Sequence, residues 1–203
     1  MIFNTLIIGG GVSGMQCALV LGSAKNKVFA IDKTIGIIMH QRSSHLENAL
    51  FNNVLGLAPK TFGKDILKQG KEQLAALYPH VSQLKNERVL SIEENTGNYK
   101  VTTNKNIYHA KIVILALNYA KPFIIKGLEE FIIPHEKSNP TKDRIQLKNT
   151  NHRIKTNLYC CGTIAGWRSQ FAIAAGSGAS VATDILTLWN DGTHTKVHDK
   201  IES

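Results

Sequence analysis

The stretch Gly9-Gly10-Gly11-Val12-Ser13-Gly14 decides the fold of this 203-residue chain. It has the spacing G-x-G-x-x-G, follows an apolar run over residues 2–8 and precedes a helical pattern over residues 12–23. A second apolar run over residues 27–32 completes a strand–turn–helix–strand unit. Such a βαβ unit implies a parallel sheet covered by helices, so we predict an α/β fold.

The glycines of this motif, called the glycine loop below, have separate tasks in a dinucleotide-binding turn. Gly9 permits the tight turn after the strand, Gly11 lets the backbone approach a pyrophosphate, and Gly14 lets the helix pack closely on the strand. Val12 and Ser13 then offer backbone N–H groups to the phosphates, at the positive end of the helix dipole. The motif therefore favours dinucleotide binding over a purely structural turn.

Asp32 ends the second predicted strand, where a carboxylate can accept hydrogen bonds from an adenosine ribose. We expect Asp32 and its neighbour Lys33 to belong to the cofactor site. An acid at this position disfavours a 2′-phosphate, so NADP is not expected here.

The remaining elements follow from apolar periodicity and turn residues. We predict an amphipathic helix, three short β segments that form an antiparallel meander, two further strands of the parallel sheet and a long last helix. Residues 119–155 are largely polar and irregular, and residues 191–203 form a polar, frayed tail. The amphipathic helix is predicted over residues 61–78 and the last helix over 170–189. The meander segments are predicted over 88–93, 99–103 and 107–110, and the two further strands over 111–117 and 158–162.

Composition excludes several classes of protein. Three cysteines, two of them adjacent, are too few and wrongly placed for a disulfide framework. The apolar runs, such as residues 112–117, fall short of the ~20 residues that a membrane-spanning helix needs. The first apolar run lacks a preceding basic segment and leads into glycines, so we read it as a strand and not as a signal peptide. We expect a cytoplasmic protein.

The chain carries 24 Lys and Arg residues against 15 acids, for a formal net charge of +9. Clusters of basic residues most often form solvent-exposed faces. No aromatic residues alternate with the basic residues as they do on a nucleic-acid-binding surface, so we do not expect nucleic acid as a partner. The basic residues cluster at Lys60, Lys64, Lys68 and Lys71, and again at Lys137, Lys142, Arg144, Lys148, Arg153 and Lys155.

The sequence resembles the thioredoxin-reductase-like flavoproteins over nearly its whole length. Residues 157–163 and 170–178 resemble the family's second FAD-binding motif, in which a strand ends in Gly-Asp and a helix of small residues points at the flavin ring. Residues 53–56 resemble the segment beside the flavin, and residues 114–118 resemble a strand that normally ends in Ala-Thr-Gly. The resemblance implies FAD contacts at Asn53, Val89, Ala116, Gly162, Thr163, Gln170 and Phe171.

Two family features are missing from this sequence. The two-domain relatives carry an NAD(P)H-binding domain between the Ala-Thr-Gly strand and the second FAD motif. Residues 117–161 contain no second G-x-G-x-x-G and are too few for a typical domain of ~100 residues. The chain also lacks the family's Cys-x-x-Cys, so the resemblance implies a small form without the NAD(P)H domain.

Two substitutions depart from the family pattern. Thr163 replaces the aspartate that bonds the ribityl chain, which keeps one hydroxyl and removes the negative charge. We expect this loss of an anion to favour reduced, anionic flavin. Asn118 replaces the glycine of Ala-Thr-Gly, and Leu117 replaces its threonine and loses a polar contact.

Other candidate residues have plain structural explanations. Cys17 and the Cys160-Cys161 pair fit small core positions, and the eight histidines show no ligand spacing, so no metal site is expected. Arg168 fits either an anionic substrate or solvent. No side chain is assigned as acid, base or nucleophile.

We therefore predict a Rossmann-like FAD-binding fold with a parallel sheet and a small antiparallel meander. One domain spans residues 1–190, with a core of 1–118 and 156–190 and a short connection over 119–155. The expected function is a flavin-dependent oxidoreductase, a homodimer, whose reductant binds at the flavin or comes from a partner protein. A non-catalytic FAD-binding module or reductase subunit, and an NAD-binding protein without flavin, remain as alternatives.

Overall fold

The computed structural model describes residues 2–40 and 46–198 and has a mixed α/β fold. The helices are α1 (Val12–Ser23), α2 (Gly63–Leu77) and α3 (Phe171–Trp189). The strands, in chain order, are β1 (Ile2–Ile8), β2 (Ile35–Met39), β3 (Leu50–Phe51), β4 (Thr61–Phe62), β5 (Val81–Lys85), β6 (Val89–Asn95), β7 (Asn98–Thr103), β8 (Ile107–Leu115), β9 (Ile132–Pro134), β10 (Ile145–Leu147), β11 (Arg153–Lys155) and β12 (Leu158–Cys160).

The main sheet has the strand order β11-β12-β8-β1-β2-β5, and β6 and β7 extend from β8 as an antiparallel ribbon. β1 pairs in parallel with β2 on one side and β8 on the other, so Ile8 lies beside Ile38 and Leu115. The glycine loop therefore leaves the sheet at the edge where β2, β8 and β12 also end. In open parallel sheets this carboxyl edge is where ligands bind.

Both faces of the parallel strands are covered, which explains why their sequences are apolar without alternation. On one face, Ile7 and Ile37 pack in a core shared with α1 and α3. On the other face, Leu6 and Leu115 pack in a second core that includes Leu147 and residues of the β6–β7 ribbon. The predicted parallel sheet with a small antiparallel meander is confirmed.

The predicted strand over residues 27–32 is wrong. Successive turn hydrogen bonds, such as Lys27 N to Ala24 O and Ala30 N to Lys27 O, use the backbone groups that a strand would need. Val28 is 92% exposed, whereas every residue of β2 is buried. Both runs are apolar and of strand length, and pairing with β1 and β5 selects the second one.

This shift in β2 moves Asp32 and Lys33 away from the glycine loop. Thr34, the next residue, bonds to the backbone of Asn4 at the amino end of β1. The glycine loop begins at Gly9, beyond the other end of β1, and five residues at roughly 3.3 Å per strand residue separate it from Asn4 by about 17 Å. The Lys33 ammonium instead lies 5.9 Å from the centre of the Trp189 ring.

β8 combines two predicted strands into one. Residues 107–110 are predicted as part of the meander and residues 111–117 as a separate strand of the parallel sheet. The first half of β8 pairs antiparallel with β7 and its second half pairs in parallel with β1, so one strand serves the meander and the sheet. The structure also adds β5, β9, β10, β11 and the β3–β4 pair, which the sequence analysis does not predict.

The carboxy-terminal segment is more ordered than the predicted frayed tail. Thr195 is buried, its N–H donates to the Thr187 hydroxyl, and its own hydroxyl accepts a bond from the Asn190 amide. Val197 packs against the core. Residues 199–203 of the predicted tail lie outside the described residues.

α3 is long and apolar enough, by length and composition alone, to cross a membrane, and no other helix in residues 2–40 and 46–198 is. Core helices pass the same test. Val181, Ile185 and Leu186 of α3 are fully buried in the core shared with α1, which is how a core helix packs.

Glycines allow α1 and α3 to approach each other closely. A side chain on Gly178 would overlap the carbonyl oxygen of Ser13, and one on Gly14 would overlap the carbonyl oxygen of Gly9. Gly176, two residues away on α3, has open space where its Cβ would be. The close approach of α3 to α1 therefore depends on Gly178 and not on Gly176.

We expect Gly178→Ala to lower the free energy of unfolding by about 1–3 kcal/mol, because it forces α1 and α3 apart. Gly176→Ala on the same helix should raise it by roughly 0.4–1 kcal/mol, since alanine restricts the unfolded chain and meets nothing in the fold. Urea unfolding of both variants measures the difference. Equal effects of the two substitutions would contradict this packing.

Candidate functional site

An open cavity of about 470 Å³ lies at the carboxyl edge of the sheet. Its volume falls within the ~300–1,000 Å³ of typical small-molecule sites. The glycine loop, the end of β2, the start of β6 and the segment after β8 form its walls. Lining residues central to the site are Gly9, Gly11, Val12, Ser13, Ile38, His40, Glu87, Val89, Ala116, Thr163 and Ser169.

The glycine loop has the geometry that its motif predicts. Gly9 has a φ of 117°, and a side chain there would overlap the Ala116 carbonyl oxygen, so the turn requires glycine. Gly11 has an ordinary φ of −75° and no neighbouring atom within 4 Å of where its Cβ would be. The fold itself therefore does not require glycine at residue 11, but a ligand approaching the backbone there would.

The start of α1 faces the cavity as an anion-binding feature. The N–H groups of a first helical turn have no carbonyl partner within their helix, and they form its positive end. Gly11 brings no side-chain oxygen to cap them, and the first turn holds no acidic residue. Gly11, Val12 and Ser13 therefore present backbone donors to the cavity.

The end of β12 brings the carboxy-terminal part of the chain to the glycine loop. Gly162 has a φ of 74°, and its Cβ would lie 2.6 Å from the Ser13 hydroxyl oxygen. A 3-10 helix begins there (Gly162–Ala165), and its Thr163 lines the cavity with a hydroxyl 3.4 Å from the Leu117 carbonyl oxygen. The two predicted cofactor motifs thus meet at Ser13.

A buried hydrogen-bond chain fixes the Gly162 turn from behind. The Gly162 N–H donates to the Ser177 hydroxyl oxygen (2.8 Å), and that hydroxyl lies 2.9 Å from Nε2 of His152. The Trp167 indole N–H, which can only donate, also bonds to this Nε2 at 2.9 Å. His152 Nε2 must therefore accept both bonds, so the ring is neutral with its proton on Nδ1.

Burial lowers the pKa of His152, and the nearby Asp184 carboxylate offsets this only in part. The neutral state that the hydrogen bonds require is thus also the state that burial favours. Sequence reasoning missed His152 because a single histidine in a polar segment has no motif.

Glu87 is a second residue that the sequence did not indicate. It lines the cavity near Val89 and accepts hydrogen bonds from Thr103 Oγ1 (2.7 Å), Tyr108 Oη (2.7 Å) and Asn106 Nδ2 (3.0 Å). Burial alone would raise its pKa, but these hydrogen bonds outweigh it and lower the pKa. An ionised carboxylate therefore sits in the wall and braces the β7–β8 turn.

The structure brings most, but not all, of the predicted cofactor residues together. Gly14 packs behind the loop on Gly9, and Gln170 directly precedes α3, next to the lining residue Ser169. Phe171 begins α3 and packs on the Phe51 ring, with a centroid distance of 5.3 Å. Four predicted residues, Gly14, Gly162, Gln170 and Phe171, lie close to lining residues without lining the cavity themselves. Asp32, Lys33 and Asn53 do not line it either.

The three cysteines are buried and unpaired, as predicted for core residues. Burial raises the pKa of Cys161 to about 12, although a hydrogen bond with Ser13 opposes the shift. Thiolate chemistry is therefore disfavoured at this position beside the glycine loop. Within the described ranges, no three His, Cys, Asp or Glu side chains converge as metal ligands.

Comparison with known proteins places this site in a family context. A model of the family described as pyridine nucleotide-disulphide oxidoreductase matches residues 3–175. Two curated ferredoxin–NADP reductases also match, at 27% identity over 114 residues (Geobacillus thermodenitrificans) and 30% over 115 residues (Geobacillus kaustophilus). Each match covers 56% of this chain but only 33% of the relative, so the chain spans about a third of their length.

Solved structures share the fold at low sequence identity. A thioredoxin reductase from Gloeobacter violaceus has a TM-score of 0.73 and 13% identity, covering 98% of this chain and 99% of that one. An oxidoreductase from Agrobacterium tumefaciens has a TM-score of 0.70 and 14% identity, covering 93% and 99%. The predicted Rossmann-like fold of thioredoxin-reductase-like proteins is therefore confirmed.

The His152 chain predicts a pH-dependent stability. Because the folded pKa lies below the unfolded value of 6.5, the unfolded chain binds a proton first as the pH falls. Stability is then lost from about pH 6.5 downward until the folded ring also protonates.

We expect His152→Gln, whose amide oxygen accepts without titrating, to flatten this decline by up to about 1.4 kcal/mol per pH unit. Urea unfolding between about pH 7.5 and 5.5 measures it, with the wild type as reference. If the free energies of unfolding of wild type and His152→Gln instead fall in parallel as the pH decreases, the folded protein does not hold His152 neutral.

Proposed function

Because the chain belongs to the pyridine nucleotide-disulphide oxidoreductase family, we propose that it binds FAD and is an oxidoreductase whose flavin transfers electrons. The observation that carries this proposal is the meeting of the glycine loop and the Gly162 turn at Ser13, on one cavity. A loop suited to a pyrophosphate and a turn that resembles the family's ribityl site then lie as neighbours.

The residues around the cavity fit FAD in extended form. Gly9, Gly11, Val12 and Ser13 would hold the pyrophosphate, because they combine open space with backbone donors at a helix start. Val89 would contact the adenine from the start of β6. The ribityl chain and flavin ring would lie toward Gly162, Thr163, Gln170 and Phe171.

The adenosine ribose needs a different partner from the one the sequence suggested. Asp32 lies at the opposite edge of the sheet, whereas His40 directly follows β2 and lines the cavity. We therefore assign the ribose position to the backbone and side chain of His40. The argument against NADP that rested on Asp32 no longer applies.

When bound, the flavin would supply the electron-transfer chemistry, and the protein would supply binding, orientation and exclusion of water. Thr163 brings a neutral hydroxyl to the ribityl position, and Ala116 and Leu117 form an apolar wall opposite it. The reductant would bind directly at the flavin or be a partner protein, since residues 117–161 hold no second nucleotide-binding motif. We propose one FAD domain over residues 1–190, in a cytoplasmic homodimer that shields the open cavity.

A non-catalytic FAD-binding module is the second candidate. It is favoured by the burial of Cys17, Cys160 and Cys161, which leaves none of the three thiols accessible for exchange with a disulfide. Its FAD would bind through the same residues. The difference between the two candidates is whether the flavin is reduced and reoxidised in turnover.

Gly11→Val tests the cofactor site directly. The new side chain enters open space, so the fold should persist with less than about 1 kcal/mol change in the free energy of unfolding. It would occupy the space of the pyrophosphate, so we expect at least a ~10-fold weaker FAD affinity, measured by quenching of flavin fluorescence. Asp32→Ala is the matched control and should bind FAD like the wild type.

A wild-type protein that remains colourless after incubation with FAD would overturn the proposal, and NAD binding without flavin would then be the candidate to test. Equal FAD affinity of Gly11→Val and wild type would instead overturn the placement of the pyrophosphate.

Anaerobic mixing of the FAD-loaded protein with NADH or NADPH separates the enzyme from the module. We expect bleaching of the flavin absorbance if a nicotinamide nucleotide binds at the flavin. Bleaching by neither nucleotide excludes them as direct donors and leaves a partner donor or a module.

A further inference from the structure

Residues 119–155, called the connection below, return to the cavity instead of only linking two parts of the sheet. β9 and β10 pair as a two-stranded antiparallel ribbon, and the loop between them carries His135. His135 is 8% exposed. Its Nδ1 accepts the N–H of Lys137 at 3.1 Å, so the ring proton lies on Nε2.

The Nε2–H of His135 points at the candidate site. It donates to the carbonyl oxygen of Thr163 at 3.1 Å. The ring also packs on Tyr119 at a centroid distance of 5.3 Å, and the Arg144 guanidinium lies 4.9 Å from the Tyr119 ring centre. Contacts among three side chains of the connection, with the His135 ring tilted against Tyr119, thus set the direction of this hydrogen bond.

Further contacts tie the connection to the residues after Thr163. Asn149 Nδ2 donates to the Ala165 carbonyl oxygen at 3.2 Å, and Arg168 Nη1 donates to the Lys137 carbonyl oxygen at 3.3 Å. The Lys137 ammonium lies 4.3 Å from the centre of the Trp167 ring. The turn from Thr163 to Arg168 is therefore held by His135, Lys137 and Asn149 of the connection, in addition to the His152 chain.

We propose that His135 is a positioning residue for the cofactor site, acting through the Thr163 carbonyl. This inference rests on the proposed FAD-binding function. By fixing that carbonyl, His135 sets the orientation of the 3-10 turn whose Thr163 hydroxyl faces the ribityl position. Thr163 carries no charge to orient itself on the cofactor, so its direction depends on the backbone that presents it.

Side-chain shape allows the hydrogen bond to be tested apart from packing. His135→Gln places an amide N–H where Nε2 lies and should keep FAD affinity within about 2-fold of wild type. His135→Phe keeps the ring against Tyr119 but cannot donate, so we expect a ~10-fold weaker FAD affinity and an altered flavin absorbance band, the change expected for one lost hydrogen bond. The asparagine side chain in His135→Asn is too short to reach the Thr163 carbonyl, so this variant should show the same weaker FAD affinity and altered flavin spectrum as His135→Phe.

His109→Phe is the matched control, because His109 lies on β8 in the meander, its Nδ1 lies 3.3 Å from the Asn98 side-chain oxygen, and it does not line the cavity. It should leave FAD affinity and the flavin spectrum unchanged. Circular dichroism and thermal unfolding without FAD establish that each variant is folded. His135→Asn provides the result if His135→Phe does not fold.

Equal FAD affinity and spectra in wild type, Phe and Asn variants would overturn the role of His135 while the proposed function stands. Equally weakened FAD affinity in His135→Gln, His135→Phe and His135→Asn would also overturn this role. The loss of affinity would then come from changed packing and not from the lost hydrogen-bond donor. A wild type that binds no FAD overturns both proposals together.

Discussion

The close contact between Ser13 and two carboxy-terminal glycines is the constraint on which the rest of the site depends. Gly178 lies against the Ser13 carbonyl oxygen, and Gly162 would place a Cβ 2.6 Å from the Ser13 hydroxyl oxygen. Any side chain at either glycine would separate α1 from α3 or from the Gly162 turn. The contact brings the two halves of the proposed cofactor site, distant in sequence, to one edge of the sheet.

Around this contact, polar groups are arranged so that each fixes the next. Ser177 accepts from Gly162 and donates to His152, which in turn accepts from Trp167. His135 holds the Thr163 carbonyl from the opposite side. Buried hydrogen bonds on both sides of a turn rigidify it, and a rigid turn positions a ligand at low entropic cost. The connection is thus part of the site architecture.

Sequence reasoning succeeded where the backbone itself imposes the residue type. β1 and α1 have the predicted bounds, because the glycine loop between them is a steric requirement visible in the sequence. It failed for Asp32, because residues 27–32 and β2 are both short apolar runs and only pairing with β1 and β5 distinguishes them. His135 and His152 were missed because their roles arise from contacts across the fold, which no local pattern encodes.

Amide hydrogen exchange with and without FAD tests the central claim most directly, because it reports which backbone groups the cofactor covers. The account predicts slower exchange in residues 9–15, 116–118 and 162–170 on adding FAD, with residues 24–34 unchanged. Protection confined to residues 24–34, or none in the glycine loop, would contradict a cofactor site built around Ser13.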